Sequence, residues 1–383
     1  MYFALIKGFS TIEPANRENS NDLTIYRETG DAVLAGQIPY RDFFIEYPPG
    51  SIPAFVPPSL FTDGRFEYIN FFAHEMALVL CASLVLVALA ARRLLGPAAW
   101  LFPSVVFASG AALLYPVAVS RYDSMVTLSL AAAAFFAALG GRHVYLAYAS
   151  LGLGAAAKLI PALAAVPLAA VRGKTIPGFA LAGGIGVLFF APALYFGGSR
   201  FIESFAYHAE RGLQIESVWA SALIHFGTIE DVSVGFGAYE VEGAGVGFAS
   251  SMSLPATAVL LLLTCFFVYR GHRSVGLRAE SFPRHAAAFV LAFMIGSKVL
   301  SPQYMLWLLP LIPLVGGRVG KGASALLVVS CLITTLIFPI YYTTLISLGS
   351  PGTELLAARN LLLLAIFALL LAKPTVTNKK VKS

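Results

Sequence analysis

The sequence predicts an all-α, polytopic membrane protein, on three observations. Of 383 residues, 58% are apolar and only 12% are charged, where a soluble domain carries about a quarter charged residues. Mean hydropathy is +0.78. The apolar residues fall in long runs, and the basic residues between those runs sit at alternate loops. Removing the apolar runs leaves no water-soluble module of domain size, so residues 1–383 are expected to form one transmembrane domain.

The elements follow in order. Residues 1–9 are apolar but too short to span, and lack the positive flank and apolar core of a signal peptide. Either the chain begins outside the membrane or a first helix is missing. Residues 10–67 form the first outer loop, rich in carboxylates, aromatics and prolines. Crossing about 30 Å of hydrocarbon takes about 20 residues, which predicts spans at 68–91, 97–119, 124–140, 177–196, 251–269, 322–346 and 354–372. The stretches 143–171 and 285–317 are too long for one crossing, and each is read as a hairpin of two short helices. That makes about eleven spans or half-spans. Residues 197–250 form a second large outer loop, whose Gly-rich end from Gly235 to Gly247 reads as a mobile flap.

Orientation follows from charge. Arg92, Arg93, Arg142, Arg172, Lys174, Arg270, Arg273, Arg278, Arg284, Arg318, Lys321 and the tail lysines Lys373, Lys379, Lys380 and Lys382 fall on one side, which is the cytoplasmic one. Of twenty Asp and Glu residues, only Glu280 falls in a loop on that side, and Glu75 lies in a span. The C-terminus is then inside. Arg142 and Arg172 share a side, so the stretch between them must turn back. Arms of roughly 12–15 residues reach about 18–22 Å, leaving the turns Lys158-Leu159-Ile160-Pro161 and Lys298-Val299-Leu300-Ser301-Pro302-Gln303 recessed beneath the outer surface. Broken helices at depth persist only where they line protein or a cavity. Two lysines at two recessed turns therefore predict a cationic pocket opening outward.

The residue types narrow the chemistry. Cys81, Cys265 and Cys331 each stand alone in apolar runs, against a disulfide framework or thiolate metal site. The net charge of +6 is spent on loop asymmetry and does not imply nucleic acid. No Walker loop, His-Glu-x-x-His or Gly-rich dinucleotide turn is present, and no Asp-x-Asp pair lies in the outer loops, so no metal or cofactor is expected. Asp22 opens a short amphipathic run capped by Ser20 or Asn21. It is either a general base or a helix-start carboxylate favoured by the dipole. Asp42 and Glu46 either bind sugar hydroxyls or pair with a cation such as Arg41. Arg121, beside Asp123, is a phosphate ligand or half of a juxtamembrane ion pair. Lys158 and Lys298 are membrane-embedded ionisable groups and functional candidates by default, with snorkelling as the alternative. His208, Arg211, Gln214 and Glu216 supply donors and acceptors in one polar string, or a solvated face. Arg359 meets a lipid phosphate or pairs with an acid such as Glu354.

Asp22-Leu-Thr-Ile-Tyr26, Gly36-Gln-Ile-Pro-Tyr-Arg-Asp42, Glu46-Tyr-Pro-Pro49, Arg121-Tyr-Asp123, Lys158-Leu-Ile-Pro161, Arg211-Gly-Leu-Gln-Ile-Glu-Ser217 and Ser301-Pro-Gln-Tyr-Met-Leu-Trp307 together resemble the polyprenyl-phosphate-mannose-dependent mannosyltransferases of glycosyltransferase family 87, in the C-type superfamily. The resemblance implies a C-type helical bundle, multi-pass in the cell membrane with its active site on the extracytoplasmic side. It also implies inverting transfer of a hexose, most often mannose, from a polyprenyl-phosphate donor to a glycan or glycolipid acceptor. Asp22 matches the family's base. Arg121, Lys158, Arg211, Lys298 and Arg359 become candidates for the donor phosphate. Tyr26, Asp42, Glu46, Asp123, His208, Gln214, Glu216, Gln303 and Tyr304 become candidates for sugar or acceptor. The family has a complete first helix before the first outer loop, and this chain departs there. Expected partners are donor, acceptor and membrane lipids. The rival readings are a lipid or sugar transporter, which should show repeat symmetry and mid-membrane acids, a transferase using another lipid-linked sugar such as arabinofuranose or glucose, and a non-catalytic scaffold, which has no need of recessed lysines.

Overall fold

A computed structural model describes residues 1–11, 21–275 and 278–372. Ser20 and the tail lysines Lys373, Lys379, Lys380 and Lys382 lie outside them. Among the described residues the main helices and one hairpin are α1 Tyr2–Ser10, α2 Asn21–Leu34, α3 Arg65–Leu94, α4 Leu101–Leu113, α5 Asp123–Leu139, α6 Val144–Ala157, α7 Ala165–Arg172, α8 Thr175–Gly197, α9 Ser199–Glu210, α10 Val218–His225, β1 Ile229–Gly235, β2 Ala238–Gly243, α11 Val246–Val275, α12 Phe282–Gly296, α13 Gly317–Thr335 and α14 Gly352–Leu371. Short helical turns join several of them.

Five described helices are long and apolar enough to cross a membrane: Arg65–Leu94, Thr175–Gly197, Val246–Gly271, Gly317–Ile340 and Gly352–Leu371. They match the expected spans at 68–91, 177–196, 251–269, 322–346 and 354–372. The expected span at 97–119 is broken. α4 stops at Leu113, and Pro116 restarts a four-residue helix, Tyr115–Ala118, because proline cannot continue a hydrogen-bond ladder begun before it. α5 has 17 residues, about 25 Å at 1.5 Å per residue.

Two packed groups meet at the middle of the molecule. In one, α3 lies along α5, α5 along α6 and α6 along α8; in the other, α11 lies along α12, and α12 and α13 along α14. Between them runs 302–314, almost completely buried, with Trp307, Leu308, Leu309 and Leu311 at zero exposure. Thr127 Oγ1 of α5 donates to the Leu306 carbonyl at 3.2 Å across this seam.

Both expected hairpins are broken helices, but differently. The first runs α6, an extended Lys158 (φ −159°, ψ 126°), a 3₁₀ turn over Ile160–Ala164, then α7. In the second, α12 is followed by 3₁₀ turns over Pro302–Leu308 and Ile312–Leu314, not by a second α-helix. Pro302, Pro310 and Pro313 remove the donors an α-helix needs there. Such irregular backbone is tolerated at depth because protein surrounds it.

The expected mobile flap is instead a paired hairpin. β1 and β2 are antiparallel, closing at Gly235 opposite Ala238. Phe236 (φ +49°) and Gly237 (φ +70°) form the turn, and two consecutive positive φ values are what a tight two-residue hairpin turn demands. The loop 213–215 joins this sheet, with Ile215 N donating to Tyr239 O and Val241 N to Leu213 O, both at 3.0 Å. The helical expectation therefore holds for the bundle, with one short hairpin added in this segment.

Candidate functional site

Asp22 lies in the first turn of α2, where the helix dipole favours a carboxylate. Arg121 Nη2 lies 2.7 Å from Asp22 Oδ2, and the Tyr47 hydroxyl donates to Asp22 Oδ1 at 2.5 Å. About a third of the Asp22 side chain stays exposed. A carboxylate offers about four lone-pair positions, so these two bonds orient Asp22 without exhausting it. The Tyr47 backbone is fixed in turn by the Tyr40 hydroxyl, which donates to the Tyr47 carbonyl at 2.6 Å. The rings of Tyr26, Tyr47, Phe55 and Tyr122 pack into one cluster beneath, Tyr26 stacked on Phe55 at 4.3 Å and Tyr47 edge-on to Tyr122 at 5.5 Å.

The same Arg121-Tyr122-Asp123 step leads to the first recessed turn. Asp123 Oδ1 accepts from Lys158 Nζ and from Trp307 Nε1, each at 2.8 Å. The Lys158 ammonium lies 5.2 Å from the Tyr122 ring centre and 5.1 Å from those of Tyr304 and Trp307, close enough for cation–π attraction to each. Asp123 takes one of its three N–H donors, and a fifth of the side chain is exposed. The segment around Gly50 presses directly on this turn. A Cβ at Gly50 would stand 2.4 Å from the Ala156 carbonyl carbon, so only glycine lets the Pro48-Pro49-Gly50 corner approach the end of α6 so closely. Asp22 and Lys158, 136 positions apart in the chain, are thus joined through the Arg121-Tyr122-Asp123 step.

The second recessed turn is built otherwise. Lys298 Nζ donates to the Ala209 carbonyl at 2.7 Å and to the Arg211 carbonyl. It caps the C-terminal end of α9, where unpaired carbonyls and the dipole both favour a cation. Lys298 was expected to hold donor phosphate. In the structure two of its three donors fasten the start of the strap 211–217.

Each residue of that strap has a fixed partner. Gly212 N donates to Glu240 Oε1 at 2.8 Å. Gln214 Oε1 accepts from Leu300 N at 2.9 Å, and its own N–H donates to the Lys298 carbonyl at 3.0 Å. Glu216 Oε2 accepts from Arg359 Nη1 at 3.0 Å, and Arg359 Nη2 donates to the Glu216 carbonyl at 2.7 Å. Ser217 Oγ caps α10 through Ala220 N. The strap is neither a solvated face nor, at Gln214 and Glu216, a ligand-facing one.

Arg211 turns the other way. Its Nη2 donates to the Phe236 carbonyl at the hairpin turn, 2.8 Å away, and its guanidinium lies 6.0 Å from the Tyr207 ring centre. It shares this edge with Glu46 and His208, whose Nε2 lies 2.9 Å from the Glu46 carbonyl oxygen. Burial pushes the Glu46 carboxyl above the usual carboxylate range, Arg211 draws it back, and the nearby Asp22 charge adds to the rise. Glu46 therefore lies within reach of the Asp22 charge.

Several expectations are corrected. Arg359 and Glu216, assigned separately to phosphate and acceptor, bind each other with 0% and 1% exposure. Burying one charge demands the other, and the partner is Glu216, not Glu354. Asp123 is 2% exposed and anchors Lys158 and Trp307, not a sugar. Tyr26 is buried in the ring cluster. Asp42 is a local clip: its Oδ2 accepts from Ile38 N at 2.7 Å and it pairs with Arg41 at 2.8 Å. The Arg41 guanidinium, with the Ile38 amide, holds its carboxyl at about 2. Tyr304 stacks on Trp307 at 4.0 Å, and Gln303 is half-buried beside it. Three site residues went unassigned from sequence: Tyr47, Tyr122 and Trp307. All three stand inside motifs quoted for other residues, and that proximity was the available signal. Among the described residues no group of three His, Cys, Asp or Glu side chains is arranged to hold a metal ion.

No curated protein matches the sequence. The crystal structure of ArnT from Cupriavidus metallidurans in the apo state matches 91% of this chain and 71% of its own with a TM-score of 0.51 at 14% identity, which shows the C-type membrane fold. The sequence model of glycosyltransferase family 87 covers residues 44–302. That is more than half of the chain and includes Glu46, Arg121, Lys158, Arg211 and Lys298. The chain belongs to glycosyltransferase family 87.

Proposed function

We propose that this glycosyltransferase moves a hexose, mannose in the first instance, from a polyprenyl-phosphate donor to a hydroxyl of a glycan or glycolipid at the extracytoplasmic face, with inversion. One observation carries the reading. The candidate base and the candidate phosphate cation, drawn from distant parts of the chain, sit at the two ends of the Arg121-Tyr122-Asp123 step.

The acceptor oxygen attacks the anomeric carbon from the face opposite the phosphate. The bond from that carbon to the phosphate oxygen breaks, and its electron pair leaves with the polyprenyl phosphate. The acceptor proton passes to Asp22. A phosphate leaves without being protonated, so one carboxylate suffices where hydrolysis of a glycosidic bond uses two. Neither a metal nor a cofactor is needed in this scheme. Lys158, at the recessed turn, meets the growing charge on the leaving phosphate by charge-assisted hydrogen bonds. Arg121 orients Asp22 between the two. A lipid-linked donor suits this placement, because its anchor stays in the bilayer while its sugar reaches an outer cleft.

The test is transfer itself. Purified protein in lipid nanodiscs is incubated with labelled polyprenyl-phosphate mannose and a membrane extract, and the product is identified by mass. Asp22→Asn should bind donor normally and transfer at least about a hundredfold more slowly, the scale of a lost general base. Normal turnover in that variant would move the base elsewhere.

A further inference from the structure

The transfer chemistry leaves one feature near Asp22 unused: a cluster of partly exposed aromatic side chains. Tyr207, on the last turn of α9, is half-buried. Its ring meets Phe236 edge-on at 5.0 Å and Phe44 at 6.0 Å, and Phe44 is 49% exposed. Phe236 occupies the first turn position of the hairpin at φ +49°. Asn or Gly is favoured at such a position, and a bulky residue there is strained. Backbone strain of this kind persists only where the surroundings impose it, and here Arg211 grips the Phe236 carbonyl. Glu46 adjoins this cluster, and the Asp22 charge acts on both Glu46 and Tyr207.

Clustered, partly exposed rings beside a few fixed polar groups make an orienting site. A sugar ring matches it: its C–H face packs on aromatic rings, and its hydroxyls donate to a carboxylate. We propose that Tyr207, Phe236 and Phe44 form the platform of an acceptor subsite for an uncharged sugar ring, with Glu46 accepting from its hydroxyls. This rests on the transferase reading and names the acceptor class. The subsite selects against anionic sugars, because Asp22 and Glu46 both border it and Glu46 already offsets Arg211. A neighbouring hydroxyl of the seated ring then reaches Asp22.

Saturation-transfer NMR on the protein in nanodiscs tests this with methyl α-mannoside and methyl α-glucuronide, neither of which partitions into lipid. Ring protons of the mannoside should be saturated by the wild type. Tyr207→Ala should weaken that binding about tenfold, the size of one lost contact of 1.4 kcal/mol. Phe236→Asn should weaken it similarly, and this variant suits the turn better than the native residue, so its loss cannot be blamed on misfolding. Asp22→Asn should bind the mannoside as the wild type does, so a missing base and a missing subsite read differently. Unchanged mannoside binding in both Tyr207→Ala and Phe236→Asn, or glucuronide binding as tight as mannoside binding, would overturn the proposal. Transfer from the lipid-linked donor without mannoside binding at the cluster would overturn it while leaving the transferase reading intact. Binding at the cluster without transfer would do the reverse.

Discussion

Lys158 and Lys298 look alike in sequence: each follows a short apolar helix, precedes a proline by three or four positions, and interrupts a run too long for one crossing. The fold treats them differently. Lys158 is held by one carboxylate among three aromatic rings and retains donors and about a fifth of its side-chain exposure. Lys298 gives two donors to the last carbonyls of α9 and its exit. A lysine at depth is therefore ambiguous until its partners are known. A side chain that meets backbone carbonyls at a helix end is a cap. One that meets a buried acid and aromatic rings keeps N–H donors that no carbonyl takes. Arg172 shows the capping mode again, donating from Nε to the Ala137 carbonyl at 2.7 Å near the end of α5, as does Arg284 to the Leu370 carbonyl at 2.7 Å at the end of α14.

The largest expected effect sharpens this contrast. Lys158→Met should lower kcat/KM for the lipid-linked donor by roughly 10²–10³-fold, the cost of removing a preorganised group from a charged transition state. Steady-state transfer in nanodiscs reads it directly. Next, Arg359→Leu leaves Glu216 buried without its cation and should destabilise the protein by about 3–5 kcal/mol, seen as a lower thermal midpoint. The paired substitution Arg359→Leu with Glu216→Leu should recover much of that loss, which a phosphate-binding role for Arg359 would not allow.

Lys298→Met should reduce transfer by no more than about tenfold, in step with a loss of about 1 kcal/mol typical of a capping contact. An effect as large as that at Lys158 would break the contrast. The smallest effect belongs to Asp42. Arg41 and the Ile38 amide hold its carboxyl below its ordinary value of 3.8, at about 2. A group depressed in the folded state stabilises it above the unfolded value and loses that contribution as pH falls through the folded one. Acid should therefore cost the wild type stability between about pH 4 and pH 2, and the Asp42→Asn variant should lose that component of a pH-resolved melting series while its transfer rate is unchanged.

Hydropathy and charge reached most of the bundle because membrane spans are set by length and apolarity. They failed where local rules override period. Pro116 divided the run at 97–119, and three prolines turned the second arm of the 285–317 hairpin into 3₁₀ turns. The hairpin was legible in Val232-Ser-Val-Gly-Phe-Gly-Ala-Tyr-Glu-Val241, where alternating residues flank a turn, but its glycines suggested looseness. The site divides in the same way. Ionisable residues near Asp22 and Lys158 could be found by type and depth. That Asp123 serves Lys158, or that Glu216 serves Arg359 across 143 positions, is a long-range pairing that spacing in one sequence does not encode. Tyr47, Tyr122 and Trp307 were missed because aromatic residues are abundant in this chain, at 13% of its residues.

The most direct measurement is phosphorus NMR of a short-chain prenyl phosphate titrated into the protein in nanodiscs, for the wild type, Lys158→Met and Lys298→Met. The wild type and Lys298→Met should bind and shift the phosphorus resonance alike, while Lys158→Met should not. A shift that survives the loss of Lys158 and disappears with Lys298 would contradict the account.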